Sequence, residues 1–257
     1  MMRTKRIVVG FSGGIDSTAA ALILKEEGYD VIAVALDFLG DSSLLEKSRT
    51  KAKQIGVDYH SVDCRESFES TVIRYFKTSY LNGYTPNPCV YCDQMMKIPM
   101  LLKSADTLGA EQVATGHYVQ KFLQNQTVSI RKSQDSRRDQ SYYFYNMDQT
   151  TLKRLQFPLS RFASKKDVIN YLMDRHVAID TTDESRGICF IPDNDYGRFL
   201  QRDLPVTSRG QFVDIQGNVL GWHNGYFRYT LGQKKNLCDN AKGLQLLALI
   251  LIKIRWS

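Results

Sequence analysis

Residues 7–18 read Ile-Val-Val-Gly-Phe-Ser-Gly-Gly-Ile-Asp-Ser-Thr and predict a strand that runs into a glycine-rich turn. The run opens with three β-branched apolar residues, which is typical of a buried strand in a parallel sheet. Beyond the turn, apolar residues recur at helical spacing from Ala19 to Leu24, and Gly28 is placed to end a helix. Such a unit directs backbone N–H groups and the positive end of a helix dipole at one point. It therefore predicts an anion-binding site.

The turn matches neither of the two common phosphate loops. It lacks the Gly-Lys-Ser/Thr ending of a Walker A loop, and its glycines do not follow the Gly-x-Gly-x-x-Gly spacing of dinucleotide folds. The run Ser-Gly-Gly-Ile-Asp-Ser at 12–17 instead resembles the pyrophosphate loop of ATP-pyrophosphatases, enzymes that adenylate a substrate oxygen and release pyrophosphate. The alternative is an ordinary strand–helix turn built from small residues.

Composition limits the class of protein. With 257 residues and 43% apolar content, the chain has enough material for one large domain or two smaller ones. No apolar run reaches the roughly 18–20 residues that a membrane span needs, and the charged start is unlike a signal peptide. We therefore expect a cytoplasmic protein with no membrane partner. A net charge of +7 suits a polyanion such as RNA, although charge alone is weak evidence.

Predicted strands and helices alternate along the first half of the chain, which indicates an α/β fold with a doubly wound parallel sheet. From Gly210 onwards, turn residues at 217–218 and 224–225 separate short strands, which predicts a small β domain that begins near Leu204. The remaining strands are predicted at 31–36, 57–62 and 112–118, followed by a hairpin at 120–131 that turns near 124–126. Helices are predicted at 42–55 (capped by Ser42 or Ser43 and ended by Gly56), 67–81, 94–108 and 164–176.

The cysteines form the second chemical signal. Their number, five, is odd and the chain shows no export signal, which favours free or metal-binding thiols over a disulfide scaffold. Pro86 and Pro88 predict a stiff loop with Cys89 and Cys92 on it or beside it, and Asp93 is expected to be the N-cap of the next helix. A loop thiol near helix N-termini and basic residues is expected to have a lowered pKa.

Other readings of the cysteines stay open at this point. Structural zinc normally needs a second cysteine pair, which the chain lacks, and the pair can also consist of ordinary thiols. Cys189 is flanked by apolar residues, so a buried core cysteine is as good an interpretation as a functional one.

Two further segments carry polar chemistry. His117 lies at the C-terminal end of the fourth predicted strand, and since the carboxyl ends of parallel strands meet at one edge, it should lie near the glycine-rich loop. There it would contact a phosphate or a base, or simply be hydrogen-bonded. The basic window 131–138, followed by tyrosines at 142–145, has the composition that commonly holds RNA; the alternative is a solvated charged loop.

Over roughly residues 5–237 the chain resembles the tRNA-specific 2-thiouridylase (MnmA) family. The matching motifs occur in order and are Gly10–Ser17, Thr85–Pro88 with Cys92, Ala114–Tyr118, Asp139–Tyr142, Phe157–Leu159, Gly187–Ile191, and Tyr229-Thr230 with Gly232-Gln233. Several of these motifs are more specific than the glycine-rich loop alone.

The resemblance implies an adenine nucleotide alpha-hydrolase-like fold that uses ATP and Mg²⁺. It implies that tRNA and a persulfide sulfur-donor protein are partners. The implied ATP contacts are Gly10, Phe11, Ser12, Gly13, Gly14, Ile15, Asp16, Ser17, Leu36 and Gly116. The implied tRNA contacts are Asn87, Pro88, Cys89, His117, Arg138, Asp139 and Gln140.

The resemblance also implies a mechanism. The C2 oxygen of the wobble uridine is adenylated, and sulfur is transferred from a persulfide on Cys189. Cys92 then resolves the persulfide through a Cys92–Cys189 disulfide. The implied domains are an ATP-pyrophosphatase and sulfur-transfer domain at 1–203, helical and tRNA-contacting from about 141, and a small β domain at 204–240. An atypical apolar tail follows at 241–257, where the C-terminal β domain of the family is absent.

The chain departs from the family pattern in ways that leave alternatives open. Cys89 stands where the family often has an Asp that is a candidate acid/base, so Cys89, Cys92 and Cys189 are possible ligands of an iron–sulfur cluster. Arg138 replaces a usual Lys, and both hold phosphate. The missing domain raises the possibility of a truncated, catalytically silent tRNA-binding protein. An amide-forming enzyme of the same fold is disfavoured because amination needs no thiol.

Overall fold

A computed structural model describes residues 5–179, 187–202 and 209–249. The chain divides into two compact units, Met1–Val72 with Cys89–Arg186 and Ile73–Pro88 with Gly187–Ser257, and each is described by itself. The expected domain boundary at 203 and the end of the apolar tail lie outside the described residues, and the domain limits stay predictions. None of the helices within the described ranges is long and apolar enough to cross a membrane.

Helices and strands follow one another in the order the sequence predicts. Their bounds are β1 Arg6–Gly10, α1 Ile15–Glu26, β2 Asp30–Asp37, α2 Ser42–Ile55, β3 Asp58–Asp63, α3 Arg65–Phe68, a π-helical turn Glu69–Ile73, α4 Arg74–Leu81, α5 Pro88–Cys92, a second π-helical turn Asp93–Lys97, α6 Ile98–Leu108, β4 Gln112–Ala114, β5 Gln120–Gln124, β6 Thr127–Arg131, α7 Gln149–Arg154, β7 Leu155–Gln156, α8 Lys165–Met173, α9 Tyr196–Gln201, β8 Arg209–Val213 and β9 Val219–Asn224.

The first unit is built on a five-stranded sheet in the order β3-β2-β1-β4-β7, with every neighbouring pair parallel. From β1 the chain adds β2 and β3 on one side of the sheet and then β4 and β7 on the other, so a topological switch point lies between β1 and β4. In open α/β sheets ligands bind at such a switch point, beyond the carboxyl ends of the strands. The α/β class with a doubly wound parallel sheet is thereby confirmed.

Both faces of β1 are buried, which is why its sequence is apolar throughout. Ile7 and Val9 pack into a cluster with α1 and α8, while Val8 packs on the opposite face with α6. All three side chains are fully buried. Because consecutive strand residues face opposite sides of a sheet, a strand covered by helices on both sides reads as an unbroken apolar run.

Local details differ from the prediction at two places. Asp41, rather than Ser42 or Ser43, caps α2: its carboxylate accepts the N–H groups of Ser43 and Leu44. The strand predicted at 112–118 ends at Ala114, since the chain then turns to pack against the loop after β1.

The second unit has a small aromatic core formed by Phe76, Tyr80, Ile191, Leu200 and Phe227. The rings of Phe76 and Phe190 meet edge to face at 5.4 Å. In the same unit, β8 and β9 pair as an antiparallel hairpin, which is the β structure predicted from Gly210 onwards.

Candidate active site

The glycine-rich loop is held in shape by its own serines. The Ser12 backbone N–H donates to the Ser17 hydroxyl at 3.2 Å, and that hydroxyl donates to the Gly14 carbonyl oxygen at 3.2 Å. Gly14 is the N-cap of α1 and supplies no side-chain cap. The N–H groups of the first turn have no acceptor inside the helix, and Gly14 has no side chain that could accept from them. They are therefore placed to bind an anion, and we call residues 12–17 the cradle.

Two glycines are required by close approaches of the backbone. Gly13 has φ +75°, and a Cβ there would lie 2.8 Å from Cα of Ser48 in α2. A Cβ on Gly116 would lie 2.9 Å from the carbonyl carbon of Asp16 and 3.0 Å from the Ser17 nitrogen. Gly116 therefore packs directly on the backbone of Asp16 and Ser17, so the fold brings the predicted ATP contacts of the glycine-rich loop and of the segment after β4 together.

Asp16 of the loop is held from two elements distant in sequence. The Tyr118 hydroxyl donates to Oδ1 of Asp16 at 2.6 Å, and the Lys165 ammonium lies 2.7 Å from the same oxygen. Lys165 is the first residue of α8 and is buried. Sequence reasoning missed Lys165, whose one signal is the uncommon placement of a lysine directly after the capping Ser164.

The remaining predicted ATP contacts lie at the same edge of the sheet. Gly10 ends β1, and a Cβ there would lie 2.8 Å from Cδ1 of Leu101. Phe11 is buried, with its backbone N–H on the Val34 carbonyl oxygen at 2.8 Å. Leu36 lies near the end of β2 and packs against the cluster on the α6 side.

Both cysteines lie beside the proline-containing segment, in a helix, and not on the loop itself. α5, the second π-helical turn and α6 follow one another without interruption from Pro88 to Leu108, so Cys89 and Cys92 are helical and Asp93 is not an N-cap. Pro88 stands at the first helical position, where its missing N–H costs nothing. Pro99 cannot donate to the carbonyl four residues earlier, and the wider π-helical turn precedes it.

A buried charged group lies behind the cysteines. Asp93 is fully buried, the Lys97 ammonium lies 2.6 Å from its Oδ1, and His117 Nε2 lies 3.3 Å from its Oδ2. The contact of Asp93 with Lys97 is an ion pair. On its other side the His117 ring has Nδ1 2.8 Å from the Thr115 hydroxyl. Both ring nitrogens thus have protein partners.

The charges of this group stabilise one another. Burial would raise the pKa of the Asp93 carboxyl, but Lys97 and His117 outweigh it and hold that pKa well below its ordinary value. Burial would lower the pKa of the Lys97 ammonium, but Asp93, with smaller contributions from Cys92 and Cys89, holds it above its ordinary value. Asp93 and Lys97 are therefore ionised at neutral pH.

The thiols differ in environment. Burial raises the pKa of the Cys89 thiol, with Lys97 offsetting part of the effect, so the expectation of a lowered pKa is wrong for Cys89. Burial also raises the pKa of Cys64, to about 11. Cys92 is buried in the first unit, whereas Cys189 lies in the second unit and is exposed, which overturns its interpretation as a core cysteine. All five cysteines fall within the described ranges.

The basic window has inward-facing acids and outward-facing cations. The Asp139 carboxylate accepts the Ser133 N–H at 2.9 Å and the Ser141 hydroxyl at 2.8 Å. Gln140 exchanges hydrogen bonds with the Tyr118 backbone at 2.9 and 3.0 Å. These side chains brace the loop, while Arg138 is exposed. Of the other predicted tRNA contacts, Asn87 is exposed and Pro88 buried, both in the second unit.

A metal centre built from protein ligands is not seen in 5–179, 187–202 and 209–249. In those ranges no group of three or more His, Cys, Asp or Glu side chains is placed to hold a metal ion.

Comparison with known proteins gives two family models that match in series. The model described as the tRNA methyl transferase HUP domain matches residues 5–193, and the one described as the tRNA methyl transferase PRC-barrel domain matches residues 197–240. A similar solved structure is described as a predicted subunit of tRNA methyltransferase from Methanocaldococcus jannaschii, with a TM-score of 0.43 and 19% identity over 66% of this chain and 76% of that one.

The curated relatives are named for a different reaction from the family models. The tRNA-specific 2-thiouridylase MnmA of Clostridium acetobutylicum is 43% identical over 249 residues, which cover 91% of this chain and 69% of the relative. MnmA 2 of Clostridium tetani is 38% identical over 247 residues, with the same coverage. On this similarity and the two matched models, the chain belongs to the tRNA-specific 2-thiouridylase family, MnmA.

Proposed function

We propose that this chain uses ATP to replace the C2 oxygen of the wobble uridine in tRNA with sulfur. The observation that carries the proposal is the cradle formed by Ser12–Ser17 at the start of α1, packed on Gly116 at the carboxyl edge of the sheet. Its glycines, its uncapped helix and its two hydroxyls fit a diphosphate group, which is what an enzyme that adenylates its substrate must hold and release.

The first step activates the uridine. The C2 oxygen attacks the α-phosphorus of ATP, the bond from that phosphorus to the bridging oxygen breaks, and pyrophosphate leaves. Mg²⁺ bound with ATP would offset charge on the phosphates. The base now carries AMP on its C2 oxygen, a far better leaving group than the original oxygen. Ser12 and Ser17 orient the loop, and Gly116 leaves room for the backbone approach.

The second step transfers sulfur. A persulfide on Cys189, supplied by a donor protein, attacks C2 through its terminal sulfur, and AMP leaves with the oxygen. The Cys92 thiolate then attacks Sγ of Cys189, which releases 2-thiouridine and leaves a Cys92–Cys189 disulfide. The transferred sulfur gains the two electrons that the two cysteines lose, so a thiol reductant must restore the enzyme. The exposure of Cys189 supports the carrier role, since a donor protein needs access to it.

Recognition of tRNA is proposed for the predicted contacts. Arg138 is exposed and would hold phosphate, while Asp139 and Gln140 keep the segment that carries it in shape. Asn87, Pro88 and Cys89 would border the target base.

The decisive experiment measures pyrophosphate release from ATP with a tRNA transcript that has uridine at the wobble position. The control transcript carries cytidine there. We expect release to depend on the uridine, and with a persulfide donor and a thiol reductant we expect 2-thiouridine by mass spectrometry of the digested tRNA. Equal release with both transcripts would contradict the proposal, and so would tRNA binding without release, the behaviour of a silent binding protein.

A second measurement tests the sulfur chemistry. Cys189→Ala and Cys92→Ala should both keep uridine-dependent pyrophosphate release and lose thiolation. Protein purified anaerobically should contain no stoichiometric iron or sulfide. A brown protein with about four irons that are lost in Cys89→Ala would overturn the persulfide step in favour of a cluster on Cys89, Cys92 and Cys189.

A further inference from the structure

The cradle contains a charge that works against its proposed ligand. Asp16 is the second residue of α1, and its carboxylate stands within the loop that is to hold phosphates. A carboxylate in the first turn is attracted to the same N–H groups as an incoming anion. It would also repel a diphosphate, because two negative charges at short range cost free energy even near a protein surface.

Lys165 also occupies a position that is unfavourable for its charge. Lys165 is the first residue of α8, where the positive end of the helix dipole disfavours a cation. Its side chain is only 10% exposed, and burying an ammonium group is costly unless it is paired. Neighbouring Lys166 has the same residue type on the same helix but is exposed. The position of Lys165 therefore needs a reason other than local helix stability.

The charges of Asp16 and Lys165 stabilise each other. The Lys165 ammonium lies 2.7 Å from Oδ1 of Asp16, and the Tyr118 hydroxyl donates to the same oxygen at 2.6 Å. The pair has no net charge, and its carboxylate is held by two donors from outside the loop. Asp16 is then drawn away from the N–H groups of its own helix, which stay available to a ligand.

We propose that Lys165 is a positioning residue of the cradle: its ammonium neutralises and holds the Asp16 carboxylate, so that the loop can accept a diphosphate group. The inference rests on the proposed nucleotide function of the loop. Lys165 acts through Asp16 and does not itself hold the phosphates.

The test is direct titration of the full chain with pyrophosphate and with ATP by calorimetry, without tRNA or sulfur donor. Lys165→Met should weaken binding of both by at least about tenfold, because an unpaired carboxylate then faces the anion. Lys165→Arg should recover most of the affinity, and Lys166→Met should bind as the wild type does. In an Asp16→Asn background, Lys165→Met should have little further effect, because no carboxylate is left to neutralise.

The outcomes separate the possible failures. If the wild type binds neither ligand, the nucleotide site itself is wrong, and this inference falls with it. If the wild type binds and Lys165→Met binds equally well, the inference alone is overturned. An equal loss from Lys165→Met in the wild-type and Asp16→Asn backgrounds would also overturn it, since Lys165 would then contact the phosphates directly. If Lys165→Met does not fold, the affinity of the double variant Asp16→Asn, Lys165→Met is compared with that of Asp16→Asn, and the affinity of Lys165→Arg with that of the wild type. A loss in the double variant would overturn the inference, and so would a large loss in Lys165→Arg.

Discussion

The Lys97 ammonium lies 2.6 Å from a carboxylate oxygen of Asp93, a side chain fully withdrawn from solvent. The two residues are one turn apart in the helical stretch that also carries Cys89 and Cys92. A buried carboxylate persists only with partners, because an uncompensated buried charge costs several kcal/mol. The pair lies within this stretch, and His117, which follows β4, links Asp93 to the sheet because its Nε2 lies 3.3 Å from the other carboxylate oxygen.

Removing the Asp93 charge should destabilise the first unit. In Asp93→Asn the Lys97 ammonium loses its partner, and because its side chain is 36% exposed and partly solvated, we expect a loss of about 2 kcal/mol in the free energy of unfolding. Urea unfolding followed by circular dichroism measures the change. The control is Asp106→Asn, whose carboxylate is also 2.6 Å from a cation, Arg154, but is 63% exposed and should cost at most about 1 kcal/mol. Similar losses in both variants would show that the burial of Asp93 does not set its contribution to stability.

The same pair predicts how stability depends on pH. The Asp93 pKa is lower in the folded protein than the value of about 4 expected when unfolded. The stabilisation is therefore fully present above about pH 4 and is lost as pH falls toward the folded pKa. The difference in urea midpoint between wild type and Asp93→Asn should be constant from pH 7 to 5 and shrink below pH 4. A difference that grows on acidification would contradict the assigned direction.

The cysteines should react with iodoacetamide in a defined order. At pH 7.5 the exposed Cys189 should be alkylated first, and Cys64 should be the slowest, because it is buried and its pKa is about 11. Peptide mass spectrometry over a time course gives the order. In high urea all five should react at similar rates, which is the control. Early modification of Cys64 in the folded protein would show that its burial is wrong.

Gly116 should be sensitive to the smallest substitution. In Gly116→Ala the new Cβ would meet Asp16 and Ser17 backbone atoms at 2.9 and 3.0 Å, so the loop must shift. We expect at least about tenfold weaker ATP binding with a modest loss of stability. Gly28→Ala, at the other end of α1, is the matched control. It has φ +85° but open space, so it should cost about 1 kcal/mol of stability and leave ATP affinity unchanged.

Features that depend on neighbouring residues could be read from the sequence. The strand, turn and helix of residues 6–26, the αL glycine that ends α2 at Gly56 and the hairpin turn near Asn125 follow from apolar periodicity and backbone preferences. The order of alternating elements also predicts the parallel sheet and places Gly116 near the loop, since parallel strands end at one edge.

Features that depend on packing could not be read in this way. Asp is a residue type favoured at N-caps, but Asp93 lies inside a helical stretch because the chain around it stays helical through a π-helical turn. Its carboxylate is buried and pairs with Lys97. Lys165 contacts Asp16 across 149 positions, a relation that no local pattern encodes. Residue types and spacing thus establish the sheet and the cradle, since local forces act within a few residues. The contacts of Lys165 with Asp16 and of His117 with Asp93 form only once elements distant in sequence exclude water between them.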